Sequence, residues 1–244
     1  MYLISSKKAY QNIAIILAMF VYVRPALSDY TVSTAKYSLH SKGLIVAEMQ
    51  RHHMTLANGN HKFSSETKTV GLAVFFRDDH IIETTEWKQN ENIIEPVKYS
   101  YQHTSKKKNR KVEITFDKNN QRIINSINDD KWTLPYNSGV YDKLLYQIVL
   151  KNELMTGIIP DEYAIADGGK IKAYRFSFLG KETIQTKLGD LETIKLSLHK
   201  DNKERKTILW CAESLGFLPV KVENTEKNGD QVTAIIESLE SQKN

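Results

Sequence analysis

The stretch RKTILWCAESLGFLPVKVE, residues 205–223, indicates how this chain folds. Two runs in which apolar residues recur at every second position flank residues 213–216, and these four residues can reverse the chain. Pro219 cannot donate a backbone hydrogen bond, so we expect it at a β-bulge or on an edge strand. The stretch therefore predicts an antiparallel β-hairpin.

The only cysteine, Cys211, lies within this hairpin. On the first strand Ile208 and Trp210 are expected on one face, and Leu209 and Cys211 on the other. Apolar surroundings raise the pKa of a thiol and reduce its reactivity, and no histidine or basic residue lies within three positions. We therefore expect a buried cysteine that packs as a small hydrophobe, rather than a catalytic nucleophile.

The same two-residue period dominates the chain from Asp29 onward. Short β-rich runs are separated by turn clusters such as ANGN (57–60) and KNN (118–120), a pattern typical of antiparallel meanders. We expect about ten to twelve strands in a mainly β fold, curved into an incomplete barrel. No long linker interrupts the pattern, so residues 29–244 are expected to form a single β-rich domain.

One segment follows the helical period instead. Its apolar residues recur at helical spacing, at Tyr141, Leu144, Leu145, Ile148 and Val149. Ser138 can cap the start and Gly157 stands just past the end. The spacing predicts one main α-helix over about residues 139–155, packed on or in the sheet that its apolar face must cover.

Residues 1–28 have the composition of a signal peptide. Two lysines precede the apolar stretch 13–23, and Ala-Leu-Ser matches a small-x-small cleavage pattern, so cleavage is expected between Ser28 and Asp29. The apolar stretch is shorter than the about 20 residues of a membrane span; the alternative is an uncleaved anchor. We expect a periplasmic or secreted protein without a transmembrane segment after cleavage, and not a lipoprotein, because no cysteine lies near the cleavage point.

The charge argues against nucleic acid as a partner. The formal net charge is +5, but without the three basic residues of the leader 31 basic residues face 29 acidic ones. Nucleic-acid binding requires a concentrated basic face. The one dense run is SKKKNRK, residues 105–111, hereafter the basic loop. It is interpreted as a solvated hairpin loop that discourages edge pairing, or alternatively as a surface that meets envelope phosphates.

Catalytic and metal-binding patterns are missing from the sequence. His52 and His53 are adjacent on a predicted strand and point to opposite faces, so they cannot easily share an ion. No GxSxG turn and no phosphate-binding glycine loop occurs. We therefore expect no enzyme, no metal and no cofactor, with a hydrolase as the least favoured reading.

Six aromatic residues lie on separate predicted strands or their ends: Trp87, Trp132, Tyr174, Phe176, Phe178 and Trp210. If the sheet curves, they are candidates to line a concave site for an apolar or amphipathic ligand. If the sheet only packs on the helix, they form the core.

The chain from about residue 140 onward resembles a family of exported bacterial proteins catalogued as domain of unknown function 3108. The similar features are the stretch from Gly180 to Lys195 and the W…LGFLPVK hairpin from Trp210 to Lys221. The resemblance implies a periplasmic β-rich domain and carries no catalytic residues. By a looser analogy it is similar to open β-barrels of the lipoprotein-carrier type.

These expectations converge on a noncatalytic binding or carrier module, with a lipid, a lipoprotein or another envelope component as its partner. The alternative is a structural or interaction protein of the envelope that acts through its edge strands or the basic loop.

Overall fold

The computed structural model describes residues 32–91, 93–107, 109–200 and 205–241. Within them, one continuous sheet of fifteen strands curves without closing, and one α-helix, α1 (Tyr146–Met155), accompanies it. The predicted antiparallel, incomplete barrel with one main helix is confirmed. The strands are β1 Val32–Ser41, β2 Leu44–Thr55, β3 His61–Thr69, β4 His80–Asn90, β5 Ile93–Thr104, β6 Asn109–Asp117, β7 Arg122–Ile127, β8 Asp130–Pro135, β9 Val140–Asp142, β10 Glu162–Asp167, β11 Lys170–Thr186, β12 Gly189–Lys200, β13 Lys206–Ala212, β14 Leu218–Thr225 and β15 Gln231–Ser241.

The first described strand, β1, lies in the middle of the sheet, and the strands that follow reach both edges. The chain runs outward from β1 to the edge strand β8, crosses to the other edge at β9, and returns through β10 to β15, which pairs with β1. Among the strands that the structure describes, only β9 and β10 pair in parallel. Because every antiparallel connection reverses the chain, the β1–β2, β3–β4, β5–β6 and β14–β15 connections lie at one end of the sheet, hereafter the cleft end.

The hairpin predicted over residues 205–223 is present as β13 and β14. Trp210 pairs with Lys221 and Cys211 with Pro219, so Val220 is the extra residue of a β-bulge. Placing Pro219 at a bulge removes the need for its missing N–H. Cys211 is fully buried, and this burial raises the pKa of its thiol to about 12.

The predicted start of the helix, at about residue 139 with Ser138 as its cap, was wrong. Residues 140–142 form strand β9, and α1 begins only at Tyr146. The buried carboxylate of Asp142 accepts the backbone N–H groups of Leu144 (2.9 Å) and Leu145 (2.8 Å) in the turn between them. Both leucines are buried in that turn. Their spacing from Ile148 and Val149 is therefore the same as in a helix, although they precede α1.

The predicted end of the helix is confirmed. Gly157 adopts a left-handed conformation (φ 81°), and its N–H donates to the carbonyl of Leu154 at 3.0 Å. The N–H of Ile158 donates to the carbonyl of Glu153 at 2.9 Å. Both bonds belong to the Schellman motif, which satisfies the last carbonyls of a helix and favours glycine at this position.

The core lies between α1 and the curved sheet. From α1 the side chains of Tyr146, Val149, Leu150 and Leu154 pack against residues of β10 to β13. Leu144 and Leu145, just before α1, pack against residues of β3 to β7. Because α1 and the turn before it reach both halves of the sheet, their side chains pack against its concave face.

Candidate functional site

Three of the six predicted aromatic residues lie in the core. Trp87 is fully buried beneath the first half of the sheet, in the cluster that includes Leu144 and Leu145. Tyr174 and Phe176 lie beneath the second half, with ring centroids 5.4 and 6.1 Å from that of Tyr146 on α1. These contacts make all three part of the packing that holds the helix.

Two others lie apart from this core. Trp210 packs with Ile184 and Ile208 in a separate cluster, and its indole N–H donates to the carboxylate of Glu182 at 3.0 Å. The neighbouring residues Leu209 and Cys211 belong to the core beneath α1, so the predicted division of this strand into two faces is confirmed. Phe178 is half exposed.

The sixth, Trp132, spans the opening of the barrel. It lies on the edge strand β8, and its indole N–H donates to the carbonyl of Gly169, in the β10–β11 turn, at 3.1 Å. A Cβ atom on Gly169 would lie 2.0 Å from Cζ2 of the indole, so only glycine allows this contact. The structure therefore does not gather the six aromatic residues around one cavity, and their role in ligand binding stays a prediction.

The space beside α1 is small. A gap of about 50 Å³ is lined by residues that include Arg51, His53, Gln147 and Lys151. Arg51 Nη1 donates to the side-chain oxygen of Gln147 at 3.0 Å, and His53 stacks on Trp87 with ring centroids 5.2 Å apart. Since one water occupies about 30 Å³, the gap can hold a water but not an acyl chain.

Burial, helped by the neighbouring His61 and Lys151, lowers the pKa of His53 to about 4. The imidazole is therefore neutral at neutral pH. Its Nε2 and the Nε of Arg51 are buried without a hydrogen-bond partner among the described residues.

A polar network fixes the turn that leads into α1. Asp142 accepts the hydroxyl of Thr85 at 2.7 Å, and burial raises the pKa of this carboxyl to about 6 although three hydrogen bonds favour its charged form. Nearby, Glu83 accepts the hydroxyl of Tyr99 at 2.5 Å and pairs with Lys143 at 3.3 Å. Each polar group therefore has a partner that anchors the start of the helix to β4 and β5.

The histidines do not converge. His52 lies 2.9 Å from the hydroxyl of Thr34, whereas His53 stacks inside on Trp87, so the two point to opposite faces as predicted. Across the described parts of the chain, no group of three or more histidine, cysteine or acidic side chains is placed to hold a metal ion. In the same parts, no helix has the length and apolar character needed to span a membrane.

A large concavity lies at the cleft end of the sheet. This cleft has a volume of about 1200 Å³ and is open to solvent. Its apolar lining comes from Leu44, Ile45, Val46, Leu72, Ala73, Phe76 and Val232. Its charged lining comes from Lys42, Arg77, Arg205, Lys227, Glu226 and Asp230, so cations outnumber carboxylates.

One wall of the cleft is the β3–β4 connection, residues 70–79, hereafter the apolar loop. Its central part is a short 3-10 helix, Gly71–Phe75. Two hydrogen bonds close its base: Thr69 N–H donates to the carbonyl of Asp79 (3.0 Å), and Asp79 N–H donates to the hydroxyl of Thr69 (3.1 Å). Val70 N–H donates to the carbonyl of Val46 (3.0 Å), which joins the loop to β2.

Side chains also tie the apolar loop to its neighbour. Arg77 Nε donates to one carboxylate oxygen of Asp79 at 2.8 Å, and His103 Nε2 lies 2.8 Å from the other. Burial alone would raise the pKa of Asp79, but the bonds from His103 and Arg77 outweigh it and the pKa lies below its usual value. A charged Asp79 thus links the apolar loop to the end of β5.

Sequence reasoning missed this site. The run GLAVFF, residues 71–76, lies between two predicted strands and has no turn residue except its glycine. In the structure Leu72, Phe75 and Phe76 are 73%, 81% and 84% exposed. Loops usually consist of polar turn residues. A run of consecutive large apolar residues between two strands is therefore the signal that could have revealed the cleft.

A sequence model of the family described as "Protein of unknown function (DUF3108)" matches residues 29–237. The resemblance in the hairpin and in the preceding stretch is thereby confirmed, and it extends over nearly the whole chain from residue 29 onward. No curated protein is similar enough in sequence to count as a match.

Solved structures resemble the fold at low sequence identity. A β-barrel-like protein of domain of unknown function DUF1849 from Brucella abortus is 8% identical, with a TM-score of 0.60, covering 86% of this chain and 98% of that chain. A predicted lipoprotein from Parabacteroides distasonis is 14% identical, with a TM-score of 0.34 over 86% and 96% of the two chains. A predicted exported protein with a YmcC-like fold from Bacteroides fragilis is 8% identical, with a TM-score of 0.33 over 85% and 94%. Only the first likeness is strong enough to support the fold.

Proposed function

We propose that this chain, which belongs to the family of proteins of unknown function DUF3108, is an exported, noncatalytic binding module for an anionic amphipathic ligand. The observation that supports the proposal is the cleft, whose apolar lining lies beside a cationic one. A lipid, or the acyl chain of a lipoprotein, combines the two chemistries that such a lining recognises.

The lining of the cleft suits a ligand with an apolar chain and a negative headgroup. Ligand sites are typically concave and mostly apolar, with a few placed polar groups that orient the ligand. Lys42 pairs with Asp230 (3.3 Å) and Arg205 with Glu226 (2.5 Å). Both pairs lie at the cleft boundary, so an anionic headgroup could displace an acidic partner while the chain covers the apolar residues.

The interior is a less suitable site for such a ligand. The gap beside α1 measures about 50 Å³, which is far smaller than the cleft. A carrier role for Trp87, Tyr174 and Phe176 would require α1 to leave its place, because these residues already pack beneath or beside it. The proposal therefore assigns the ligand to the outer cleft.

A second candidate function is that of an envelope interaction module acting through the basic loop. The favouring observation is that Lys106 and Lys107 are exposed in the connection between β5 and β6. Crosslinking in intact cells tests it, with these lysines and Lys108 changed to glutamine. Loss of a specific crosslinked partner is expected, and an unchanged crosslinking pattern would rule out this version.

Export belongs to the same proposal. Residues 1–28 and the junction of Ser28 and Asp29 lie outside the described residues, so the predicted signal peptide rests on the sequence alone. The mass of the protein purified from cells is expected to correspond to a chain that begins at Asp29. A mass that includes the leader would contradict cleavage.

Binding of a fluorescently labelled palmitate tests the cleft. Changing Leu44 and Ile45 together to serine removes two side chains that are 63% and 50% exposed and line the cleft. Since covering one large apolar side chain contributes about 1.5 kcal/mol, the loss of two should weaken binding by about 3 kcal/mol, or about 100-fold. The methyl ester of the probe, which lacks the charge, should also bind more weakly than the acid.

The matched control changes Met155 and Ile158 to serine. These residues are 56% and 55% exposed and follow α1 at the opposite end of the sheet, so a similar apolar area is removed elsewhere. The control should bind the probe like the unchanged protein. Equal affinity of all three proteins would show that palmitate does not occupy the cleft.

A further inference from the structure

The sheet topology brings an apolar tip and a basic loop to the same end of the molecule. The β3–β4 and β5–β6 connections both lie at the cleft end, and they are neighbours because β4 and β5 pair along their length. The first is the apolar loop; the second begins the basic loop, whose last three residues already belong to β6. The contact between Asp79 and His103 links the apolar loop to the end of β5, next to the basic loop.

The apolar tip is exposed but built on a fixed base. Phe75 and Phe76 are 81% and 84% exposed, and Phe75 does not line the cleft. Phe76 N–H and Arg77 N–H both donate to the carbonyl of Ala73, at 3.0 and 2.8 Å. The backbone of the tip therefore satisfies part of its own polar groups, which lowers the cost of moving it into an apolar medium.

The basic loop supplies the complementary charge. Residues 105–111 contain five lysine and arginine residues and no acidic residue. Lys106 and Lys107 are exposed, and the loop lies at the same end of the sheet as the apolar tip. An anionic bilayer presents negative headgroups above an apolar layer, so it matches both features at once.

We propose that the cleft end is a membrane-docking surface, in which the apolar loop inserts Phe75 and Phe76 among lipid chains while the basic loop contacts anionic phospholipid headgroups. Residues at the projecting tip of a loop can enter a bilayer, whereas a protein partner would have to offer a pocket for them. The docking surface shares Phe76 with the cleft, whereas Phe75 belongs to the docking surface alone. A docked protein would hold the cleft close to the lipids.

Vesicle cosedimentation tests the docking surface. The protein used begins at Asp29, because the apolar leader would itself bind vesicles; the described fold lies wholly within the remaining chain. We expect binding to vesicles of phosphatidylglycerol and phosphatidylethanolamine, and much weaker binding to phosphatidylcholine vesicles. Absence of binding to the anionic vesicles would overturn the proposal.

Two variants separate the contributions. Phe75→Ser should weaken binding to anionic vesicles about tenfold, because one large apolar side chain no longer inserts. Lys106→Gln combined with Lys107→Gln should weaken binding by about fivefold for each lysine at low salt, and by less at high salt. The matched control Ile158→Ser, at the opposite end, should bind like the unchanged protein. Equal binding by Phe75→Ser and by this control would refute the role of the tip.

The labelled palmitate distinguishes this proposal from the proposed function. Phe75→Ser should keep its affinity for palmitate, since Phe75 does not line the cleft. If the protein binds vesicles through Phe75 but does not bind palmitate, only the ligand-binding proposal is refuted. Palmitate binding without vesicle binding would refute only the docking surface.

Discussion

Replacing Gly169 by alanine should open the contact between Trp132 and the β10–β11 turn. Gly169 has φ 78°, where alanine costs about 1–2 kcal/mol, and its new Cβ would meet the indole ring at 2.0 Å. The indole would then have to move and lose its hydrogen bond, at about 1 kcal/mol, and part of its burial, at about another 1 kcal/mol. We expect the free energy of unfolding to fall by about 3–4 kcal/mol in total.

Urea unfolding followed by tryptophan fluorescence measures this loss. Gly59→Ala is the matched control, because Gly59 has φ 81° and nothing within 4 Å of a new Cβ, so it carries the backbone cost alone. In a Trp132→Ala background, Gly169→Ala should likewise cost only about 1–2 kcal/mol. The reasoning fails if Gly169→Ala costs no more than Gly59→Ala, or if removing Trp132 leaves its cost unchanged.

Two other predictions concern buried titratable groups. Asp142 has a folded pKa of about 6 against about 3.9 unfolded, so its contribution to stability is fully present below pH 3.9 and is lost as pH rises through 6. Asp142→Asn should therefore gain about 2–3 kcal/mol relative to the unchanged protein between pH 4 and 7, measured by urea unfolding; a difference that does not vary with pH would contradict this. Burial raises the pKa of Cys211 to about 12. The thiol should therefore not react with an aromatic disulfide reagent at neutral pH until the protein unfolds. Rapid labelling of the folded protein would show instead that the thiol is accessible.

Trp132 makes a contact across the opening of the sheet, which strand pairing does not close. Strands β8 and β9 are its two edges, and β9 has only three residues. The indole of Trp132 extends past this short strand to the carbonyl of Gly169. A side chain, rather than strand pairing, therefore connects the two sides of the opening, and residue 169 must remain glycine for this to happen.

Several elements could be predicted from the sequence because their causes are local. The two-residue period gave the antiparallel strands, and the hairpin with Pro219 at a bulge followed from residues close to it in the chain. Gly157 marked the end of α1 because a left-handed residue is needed there. The number of strands was underestimated, since short strands such as β9 are set by pairing with a distant strand.

The start of α1 and the candidate site could not be predicted in this way. Whether residues 140–142 pair with β10 or continue a helix depends on the buried environment of Asp142, which the sequence does not reveal. Likewise, Trp87 and Phe75 are both aromatic residues in β-rich segments, yet one is fully buried and the other 81% exposed.

The sequence by itself therefore determined the β-rich architecture, the single helix and the family, because periodicity, turn residues and short motifs act over neighbouring positions. Only the tertiary structure decided which apolar residues fill the barrel and which line the outer cleft. The physical reason is that burial depends on what packs against a side chain from elsewhere in the chain. Here α1 occupies the concave face, and the proposed ligand site lies at the cleft end instead.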